Sequence, residues 1–214
     1  WSGPPYSSWS SPIKIGSGTH KDDICVITAL PTNQIAVMWS NQKTKLNGFK
    51  THNDSDVPSI WSKDEVPAGH SALENVGLGM SDDHINLAVA SNGDLFAAVK
   101  TSYDTKGYAK IALLVRRANG NWEDLHYVDD NGTRPIVCLS EKTGKLQVIY
   151  SGRSDRDSIV YRESPLDKIS SGPVTVLINH DLNNATSTKQ NYSDELVVLA
   201  SDEEKAIGVK VECK

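Results

Sequence analysis

A strand, a tight turn and a second strand recur four times along the sequence, and this repeat limits the fold more than any other feature. The copies occupy residues 24–41, 82–102, 135–152 and 196–211. Each begins with five or six β-favouring residues, passes through a short polar turn and ends in another apolar run. Their starts are about 50 to 60 residues apart, the period expected when one sheet-sized unit repeats around an axis. The repeat therefore predicts a β-propeller.

The apolar runs between the turns are too short for helices. They are four to seven residues long, and no amphipathic stripe with helical periodicity passes through them. A further turn signal, Asn119-Gly120, supplies the positive φ angles that a tight hairpin turn needs. The sequence thus predicts an all-β fold, a β-propeller built from four-stranded blades.

The repeats divide one propeller domain, residues 1–214, into successive blades. A chain that begins with the end of one blade and stops early in another suits propellers that share one blade between both termini. Three whole blades plus one shared blade would close a ring of four; alternatively, the chain is the C-terminal part of a larger ring. The expected segments are 1–19 for the end of a preceding blade with a strand at 11–15, 20–68, 69–130 and 131–182 for whole blades, and 183–214 for the first strands of a last blade.

Three runs rich in β-branched residues are the predicted innermost strands of neighbouring blades. They lie at 85–90, 135–139 and 196–200, each flanked by turns at matched positions. Two weaker segments, around Phe49 and at 59–61, would complete the four strands of the first whole blade.

The charge and the hydrophobicity of the chain exclude two kinds of partner. A net charge of -5 argues against general nucleic-acid binding, which depends on a cationic surface. No run approaches the roughly 18 apolar residues of a membrane span. We therefore expect neither nucleic acid nor a membrane span.

Six sequence blocks occur in the same order as in a known protein family. They are MWSNQ, DDHINL, FAAVKTS, LLVR, TRPIV and NNATSTKQ, the last followed by VVLAS. From about Asp22 onward they resemble a widespread family of secreted bacterial propeller-like proteins with sialidase-like blades. The resemblance implies an extracellular or cell-surface protein with further blades upstream, so it favours the partial ring. An exposed sheet face at 24–30 or at 196–211 would then be expected, unless another chain covers it.

Propeller geometry places two kinds of loop around the mouth of the central channel. The innermost strand of each blade descends from that face and the second strand climbs back to it. The loop that enters the first strand and the loop that leaves the second therefore lie together, and we call this surface the channel mouth. Polar blocks fall at both places, which predicts a ligand-binding site. The predicted residues are Asn41, Gln42, Asp82, Asp83, His84, Lys100, Arg134, Lys189 and Gln190.

Each of these residues also has a structural interpretation, in which the polar groups satisfy one another and the buried strand ends. Beside Asp83, His84 could move a proton near neutral pH, or it could hydrogen-bond to neighbouring backbone. Lys100, Arg134 and Lys189 suit a carboxylate or sulfate, Arg by a two-pronged contact and Lys as a point charge.

Acidic clusters at 22–23, 82–83 and 155–157 are candidate calcium sites, because Ca²⁺ takes hard oxygen ligands. None has the spacing of a known calcium loop such as the EF-hand. We expect these carboxylates to be solvated or paired with lysines and arginines, and the sequence calls for no other cofactor.

Three hypotheses of function follow: a binding module, a polysaccharide-active enzyme and a structural array. The first is a binding module for a glycan or another cell-surface partner at the channel mouth. Trp39 lies next to that mouth and offers a stacking surface. The third hypothesis is a structural repeat array within a larger surface protein. Binding ranks first because the sequence contains no nucleophile motif, phosphate-binding loop or metal signature.

The second hypothesis is a polysaccharide-active enzyme on an acidic glycan. In a lyase, Arg134 or Gln42 would neutralise the uronate, and His84 or Lys100 would be the base. A hydrolase needs two carboxylates at a set separation, and the evident pair is Asp83 with Asp23.

Overall fold

The computed structural model describes residues 2, 4–152, 158–188 and 191–212 as four antiparallel sheets, which are the blades. Within these residues the helical content is one 3-10 turn at Gly69–Ser71, and no helix is long and apolar enough to cross a membrane. Blade 1 contains β1 (Cys25–Leu30), β2 (Gln34–Trp39) and β3 (Gly48–Asn53), and blade 2 contains β4 (Ile85–Val89), β5 (Leu95–Lys100), β6 (Ile111–Arg116) and β7 (His126–Asp129). Blade 3 contains β8 (Thr133–Ser140), β9 (Lys145–Ser151), β10 (Ile159–Pro165) and β11 (Thr175–Ile178), and blade 4 contains β12 (Asn183–Thr186), β13 (Glu195–Ser201) and β14 (Ala206–Glu212).

The blades follow one another around one axis. Their first strands β1, β4, β8 and β12 contact each other in chain order. Between β4 and β8, the Val137 backbone N–H donates to Asn86 Oδ1 at 3.1 Å. An apolar cluster fills each of the three blade-to-blade interfaces. The all-β propeller predicted from the repeat is confirmed.

The middle strands of blade 2 are apolar without interruption because other blades cover both of their faces. Residues 95–99 of β5 and 111–115 of β6 are all buried. Ala97 and Ala98 point to opposite faces, since side chains alternate along a strand, and both are fully buried. This double burial holds the ends of β4 and β5, and thus their loops, in a fixed position.

Three sequence predictions about strands are wrong. The innermost strand of blade 4 is β12, and residues 196–200 belong to the second strand, β13. The sequence of β12, Asn183-Asn184-Ala185-Thr186, is polar enough to resemble a loop. The sequence pattern, which takes residues 196–200 as the innermost strand, predicts that residues 187–190 form the loop entering blade 4. The entering loop lies before residue 183 instead.

At the other end of the chain, neither 11–15 nor 59–61 forms a strand. Instead, Glu65 bridges Phe49 with backbone hydrogen bonds of 3.0 and 2.9 Å and takes the outer position in blade 1. The N-terminal segment lies along blade 1, where the Ile15 carbonyl accepts a hydrogen bond of 2.8 Å from Lys50 Nζ.

The two sheet faces expected to be exposed are exposed. Alternate residues of β1 face outward, and Ile27 is 68% exposed. On β13 the same alternation leaves Val197 and Leu199 about half exposed. A partial ring, with further blades against these faces, stays a prediction.

Candidate functional site

Hydrogen bonds join the loops of blades 1 and 2 at the channel mouth. The Asn41 backbone N–H donates to Ser81 Oγ at 2.8 Å, which connects the loop after β2 to the loop before β4. The Asn41 side chain is buried, and its Oδ1 accepts two backbone hydrogen bonds of 3.1 Å within its own loop. The Gln42 backbone N–H donates to Asp23 Oδ1 at 3.0 Å. Asn41 therefore shapes the loop, and the amide of its side chain keeps only its N–H groups for a ligand.

Four predicted residues form one cluster on blade 2, the acidic corner of Asp82, Asp83, His84 and Lys100. The antiparallel pairing of β4 with β5 brings the loop before β4 beside the loop after β5. Lys100 Nζ lies 2.7 Å from Asp82 Oδ2, and Ser102 Oγ donates to the same oxygen at 2.8 Å. His84 Nδ1 lies 2.5 Å from Asp83 Oδ1 and 3.3 Å from Asp82 Oδ1. The side chain of Asp82 is 12% exposed and that of Asp83 is 48% exposed, so Asp83 is the carboxylate that a ligand can reach.

The two carboxylates of the acidic corner have pKa values shifted in opposite directions. Burial alone would raise the pKa of Asp82, but hydrogen bonds with His84, Asp83, Lys100 and Ser102 outweigh it and hold this pKa well below its usual range. The hydrogen bond with Asp82, helped by partial burial, raises the pKa of Asp83. Asp82 therefore carries the fixed negative charge, and Asp83 is the carboxyl group that takes up a proton first.

The acidic corner fits Ca²⁺ poorly, although three of its ligand atoms lie within 4.8 Å of one another. Ca²⁺ takes about six to eight oxygen ligands, and here one of the three groups is an imidazole. The Lys100 ammonium already neutralises Asp82. At 22–23, Asp23 Oδ1 accepts hydrogen bonds from Ser40 Oγ and from the Gln42 backbone. The third candidate, 155–157, is not among the described residues.

Arg134 lies in a β-bulge at the start of β8. The pairing of β8 with β9 shifts register between Thr133 and Ile136, which leaves one extra residue on β8. Arg134 has a φ of 51°, a left-handed conformation that is unfavourable for a long side chain. It is partly exposed and forms no hydrogen bond or ion pair within the described chain. Its guanidinium is therefore available to a ligand.

A buried network fixes the loop before β8. Tyr150 Oη donates to Asp129 Oδ2 at 2.5 Å, and Arg162 Nη2 lies 3.4 Å from the same oxygen. Gly132 has a φ of 127°, and a Cβ at this position would lie 2.6 Å from the Tyr150 ring. Both the backbone conformation and the close approach require glycine. Tyr150, Asp129, Arg162 and Gly132 thus fix the backbone just before the bulge.

The structure brings together some of the nine predicted residues. Asp82, Asp83, His84 and Lys100 contact each other, and Asn41 joins them through Ser81. Lys189 and Gln190 lie outside the described residues. Convergence of the full set on one ligand stays a prediction.

Sequence reasoning missed Ser81, and it assigned Ser102 to the loop after the second strand without including it among the predicted site residues. Ser81 stands just before Asp82 and Ser102 ends the FAAVKTS block. A hydroxyl at a strand end, next to a charged block, is the signal that could have identified them.

No protein-family model matches the sequence, and no curated protein matches it either. Solved structures do share its fold. One is the GH93 α-L-arabinofuranosidase of Fusarium graminearum in complex with arabinobiose, with a TM-score of 0.56 and 12% identity over 86% of this chain and 58% of that chain. A second is the α-L-arabinanase of Penicillium chrysogenum with arabinobiose, with a TM-score of 0.52 and 17% identity over 87% of this chain and 65% of that chain.

A third similar structure is an exo-β-1,3-galactanase from Clostridium thermocellum, with a TM-score of 0.51 and 11% identity over 89% of this chain and 46% of that chain. This chain thus spans less than two-thirds of the length of each of the three enzymes. At such low identity the likeness concerns the fold, and the resemblance to a secreted family is supported for its propeller architecture alone. The chain has the β-propeller fold seen in these glycoside hydrolases.

Proposed function

We propose that the protein binds an acidic glycan at the channel mouth, with Arg134 as the contact for the acidic group. The observation that carries this proposal is the bulge at Arg134, where an unpaired guanidinium stands on a left-handed backbone. Strain of this kind persists where the surrounding structure fixes it, and it is common at ligand sites. A guanidinium matches the two oxygens of a carboxylate in one planar contact.

The acidic corner complements this cation. Asp83 is half exposed and can accept hydrogen bonds from sugar hydroxyl groups. Lys100 is bound to Asp82, so it positions that carboxylate and contributes little free charge. Two of the similar structures hold arabinobiose, which supports a sugar as the ligand of this fold. The proposed ligand-binding set keeps the predicted residues that belong to the mouth: Asn41, Gln42, Asp82, Asp83, His84, Lys100 and Arg134. Lys189 and Gln190 are left out, because they stand between β12 and β13 in the sequence, and the end of β12 and the start of β13 lie at the face opposite the mouth.

Titration calorimetry with oligogalacturonides tests the proposal, with arabinobiose as the neutral probe. Arg134→Ala is expected to lower the affinity for the acidic probe roughly tenfold to a hundredfold, because one charge-assisted contact is worth about 1.5–3 kcal/mol. Its thermal midpoint should stay unchanged, since the side chain forms no hydrogen bond or ion pair with the residues that the structure describes. Lys168→Ala, which removes an exposed cation from the loop between β10 and β11, is the matched control. Equal losses in both variants, or no loss in Arg134→Ala, would refute the assignment.

An enzyme is the second candidate, because the opposite pKa shifts of Asp82 and Asp83 resemble a division of acid and base roles. The hydrolase pair of Asp83 with Asp23 is disfavoured, since Asp23 is bonded to Ser40 and to backbone N–H groups. A lyase, with His84 as base and Arg134 on the uronate, is the better enzyme hypothesis. Release of unsaturated products from oligogalacturonides would establish it. Binding without any product would establish the module.

We also propose that the protein works outside the cell, as the family resemblance implies. The partner is then a glycan of a cell surface or of the extracellular medium. A chain that neither binds nor cleaves any probe would leave the third hypothesis, a structural array within a larger surface protein.

A further inference from the structure

A cavity opens on the outer side of blade 1, and no residue of the acidic corner lines it. It has a volume of about 660 Å³, within the range of small-ligand sites. We call it the side pocket. The loop between β2 and β3 forms one wall, and residues 14–17 and 64–66 form the others.

Asn47 is the unusual residue of the side pocket. It is 2% exposed, and neither its amide nitrogen nor its amide oxygen has a hydrogen-bond partner within the described chain. Most buried polar side chains are hydrogen-bonded, so such a residue needs an explanation. Asn47 lines the pocket, but its amide nitrogen and oxygen are buried from solvent, so a ligand hydroxyl group reaches them once the adjoining wall of the pocket moves aside. A single hydroxyl group can accept from the amide nitrogen and donate to the amide oxygen, whereas a simple cation or anion can satisfy one of them only.

Trp39 supplies an apolar wall. It pairs with Gly48 across β2 and β3, and a Cβ on Gly48 would lie 2.2 Å from the indole ring. The indole therefore lies directly on the glycine backbone, which fixes its orientation. Trp39 is partly exposed and lines the pocket. A flat aromatic surface beside a hydrogen-bonding amide matches a sugar ring, which has an apolar C–H face and a rim of hydroxyl groups.

The charges of the side pocket balance. Two lysines and two acids line it, namely Lys14, Lys50, Asp64 and Glu65. Lys50 Nζ lies 2.7 Å from Asp64. Glu65 accepts two hydrogen bonds of 2.8 Å from Arg116 and one of 2.8 Å from the indole N–H of Trp122, so its charge is already compensated. Lys14 has no partner among the described residues, but it is exposed to solvent, so the charges in the buried part of the pocket are compensated and a neutral ligand is favoured there.

We propose that the side pocket binds a neutral sugar ring, stacked on Trp39 and hydrogen-bonded to Asn47. Asn41 of the channel mouth also lines this pocket, whereas Arg134 and the acidic corner do not, so the pocket is distinct from the proposed contact for the acidic group. The protein would then hold a mixed polysaccharide at two places, an acidic residue at Arg134 and a neutral residue at Trp39.

Tryptophan fluorescence and calorimetry with a panel of neutral pentose and hexose oligosaccharides test the inference. At least one probe is expected to bind, and Trp39→Ala should weaken it roughly tenfold or more. Trp9→Ala is the matched control, since Trp9 is 77% exposed and does not line the pocket. Arg134→Ala should leave this binding unchanged. Loss of neutral-sugar binding in Arg134→Ala would assign it to the mouth and overturn the inference, as would a panel in which no probe binds.

Asn47→Leu separates a binding role from a structural one. An apolar side chain of similar size removes the buried amide, so the thermal midpoint should be kept or raised while affinity for the neutral probe falls roughly tenfold. A lower midpoint with unchanged affinity would mean that Asn47 only supports the fold. Sedimentation of the wild type and of Trp39→Ala completes the test. Self-association that Trp39→Ala abolishes would place a second copy of the chain in the pocket and contradict the proposal.

Discussion

Blades 3 and 4 begin with the same backbone irregularity but carry different residues on it. In blade 3, β8 has one more residue than β9 between the pairs Thr133↔Ser151 and Ile136↔Ile149. In blade 4, β12 has one more residue than β13 between the pairs Asn183↔Ser201 and Thr186↔Leu199. The second residue of each strand is left-handed, with a φ of 51° at Arg134 and 57° at Asn184. Asparagine tolerates this conformation and arginine does not. The same bulge thus recurs in blades 3 and 4 with different residues on it, and the arginine is the residue whose backbone conformation needs an explanation.

The surroundings of the two bulges also differ, since apolar residues precede one bulge and a polar network precedes the other. Before β12, Leu182 is buried in the apolar cluster between blades 3 and 4. Before β8, Gly132 packs on Tyr150, which bonds to the buried Asp129. A polar network with fixed geometry positions the following side chain more narrowly than apolar packing does. This difference supports the proposal that the loop before β8 holds Arg134 in place.

The strongest test of this difference is Gly132→Ala. The new Cβ would meet the Tyr150 ring at 2.6 Å on a φ of 127°, and we expect a loss of about 3 kcal/mol in the free energy of unfolding. Gly144→Ala is the control, because its φ is 66° and nothing lies within 4 Å of the added Cβ. There the loss should be about 1 kcal/mol. Urea unfolding of both variants measures the difference, and equal losses would show that the Tyr150 contact does not fix the loop.

A smaller effect is expected for Tyr150→Phe, which removes the hydrogen bond to Asp129 and should lower stability by about 1–2 kcal/mol. Burial, together with the hydrogen bond to Asp129, raises the pKa of Tyr150 above its ordinary value of 10.0. The contribution of the protonated Tyr150 to the free energy of unfolding is complete below pH 10.0. It is lost as the pH rises above this value toward the pKa of Tyr150 in the folded state. Wild type should lose more stability than Tyr150→Phe in this alkaline range. Parallel curves for the two proteins would contradict the network.

Blade 2 offers a third arrangement, since β4 pairs with β5 without a bulge and Asp82 fixes its entering loop. Asp82→Asn should cost about 1 kcal/mol at neutral pH, because the hydrogen bonds to a charged acceptor weaken. The pKa of Asp82 is lowered in the folded state, so its stabilisation is present above its ordinary value of 3.8 and is lost as the pH falls below it. The thermal midpoint of the variant should therefore fall less steeply than that of the wild type as the pH is lowered below 3.8. If the thermal midpoints of the variant and the wild type fall equally steeply with decreasing pH, the ion pair of Asp82 with Lys100 does not contribute to stability.

Much of the propeller could be predicted from the sequence, because local pattern decides hairpins. The uninterrupted apolar run of β5 and the β-branched run of β8, each next to a polar turn, gave the correct strands. The same reasoning placed Lys100 beside Asp82, since hairpin register determines that contact. The strand β12 could not be found this way. Its four residues are mostly polar and gain their position from contacts with β8 and β9.

Contacts between segments that are distant in the sequence could not be predicted either. On the face opposite the mouth, Glu141 accepts hydrogen bonds from Ser91 and Asn191 and links three blades, although its turn resembles an ordinary solvent turn. The buried amide of Asn47 and the left-handed backbone of Arg134 depend on tertiary packing in the same way. No local pattern in 131–134 signals a positive φ at an arginine.

The central claim, that Arg134 is kept on an unfavourable backbone for binding, is tested most directly by Arg134→Gly beside Asn184→Gly. Glycine relieves the left-handed strain, so Arg134→Gly should raise the free energy of unfolding by about 0.5–1 kcal/mol. The same variant should lose roughly tenfold to a hundredfold affinity for oligogalacturonide. Asn184→Gly should change stability by about 0.5 kcal/mol or less, because asparagine already tolerates the left-handed conformation, and it should leave affinity unchanged. A destabilised Arg134→Gly protein that binds as tightly as wild type would contradict the account.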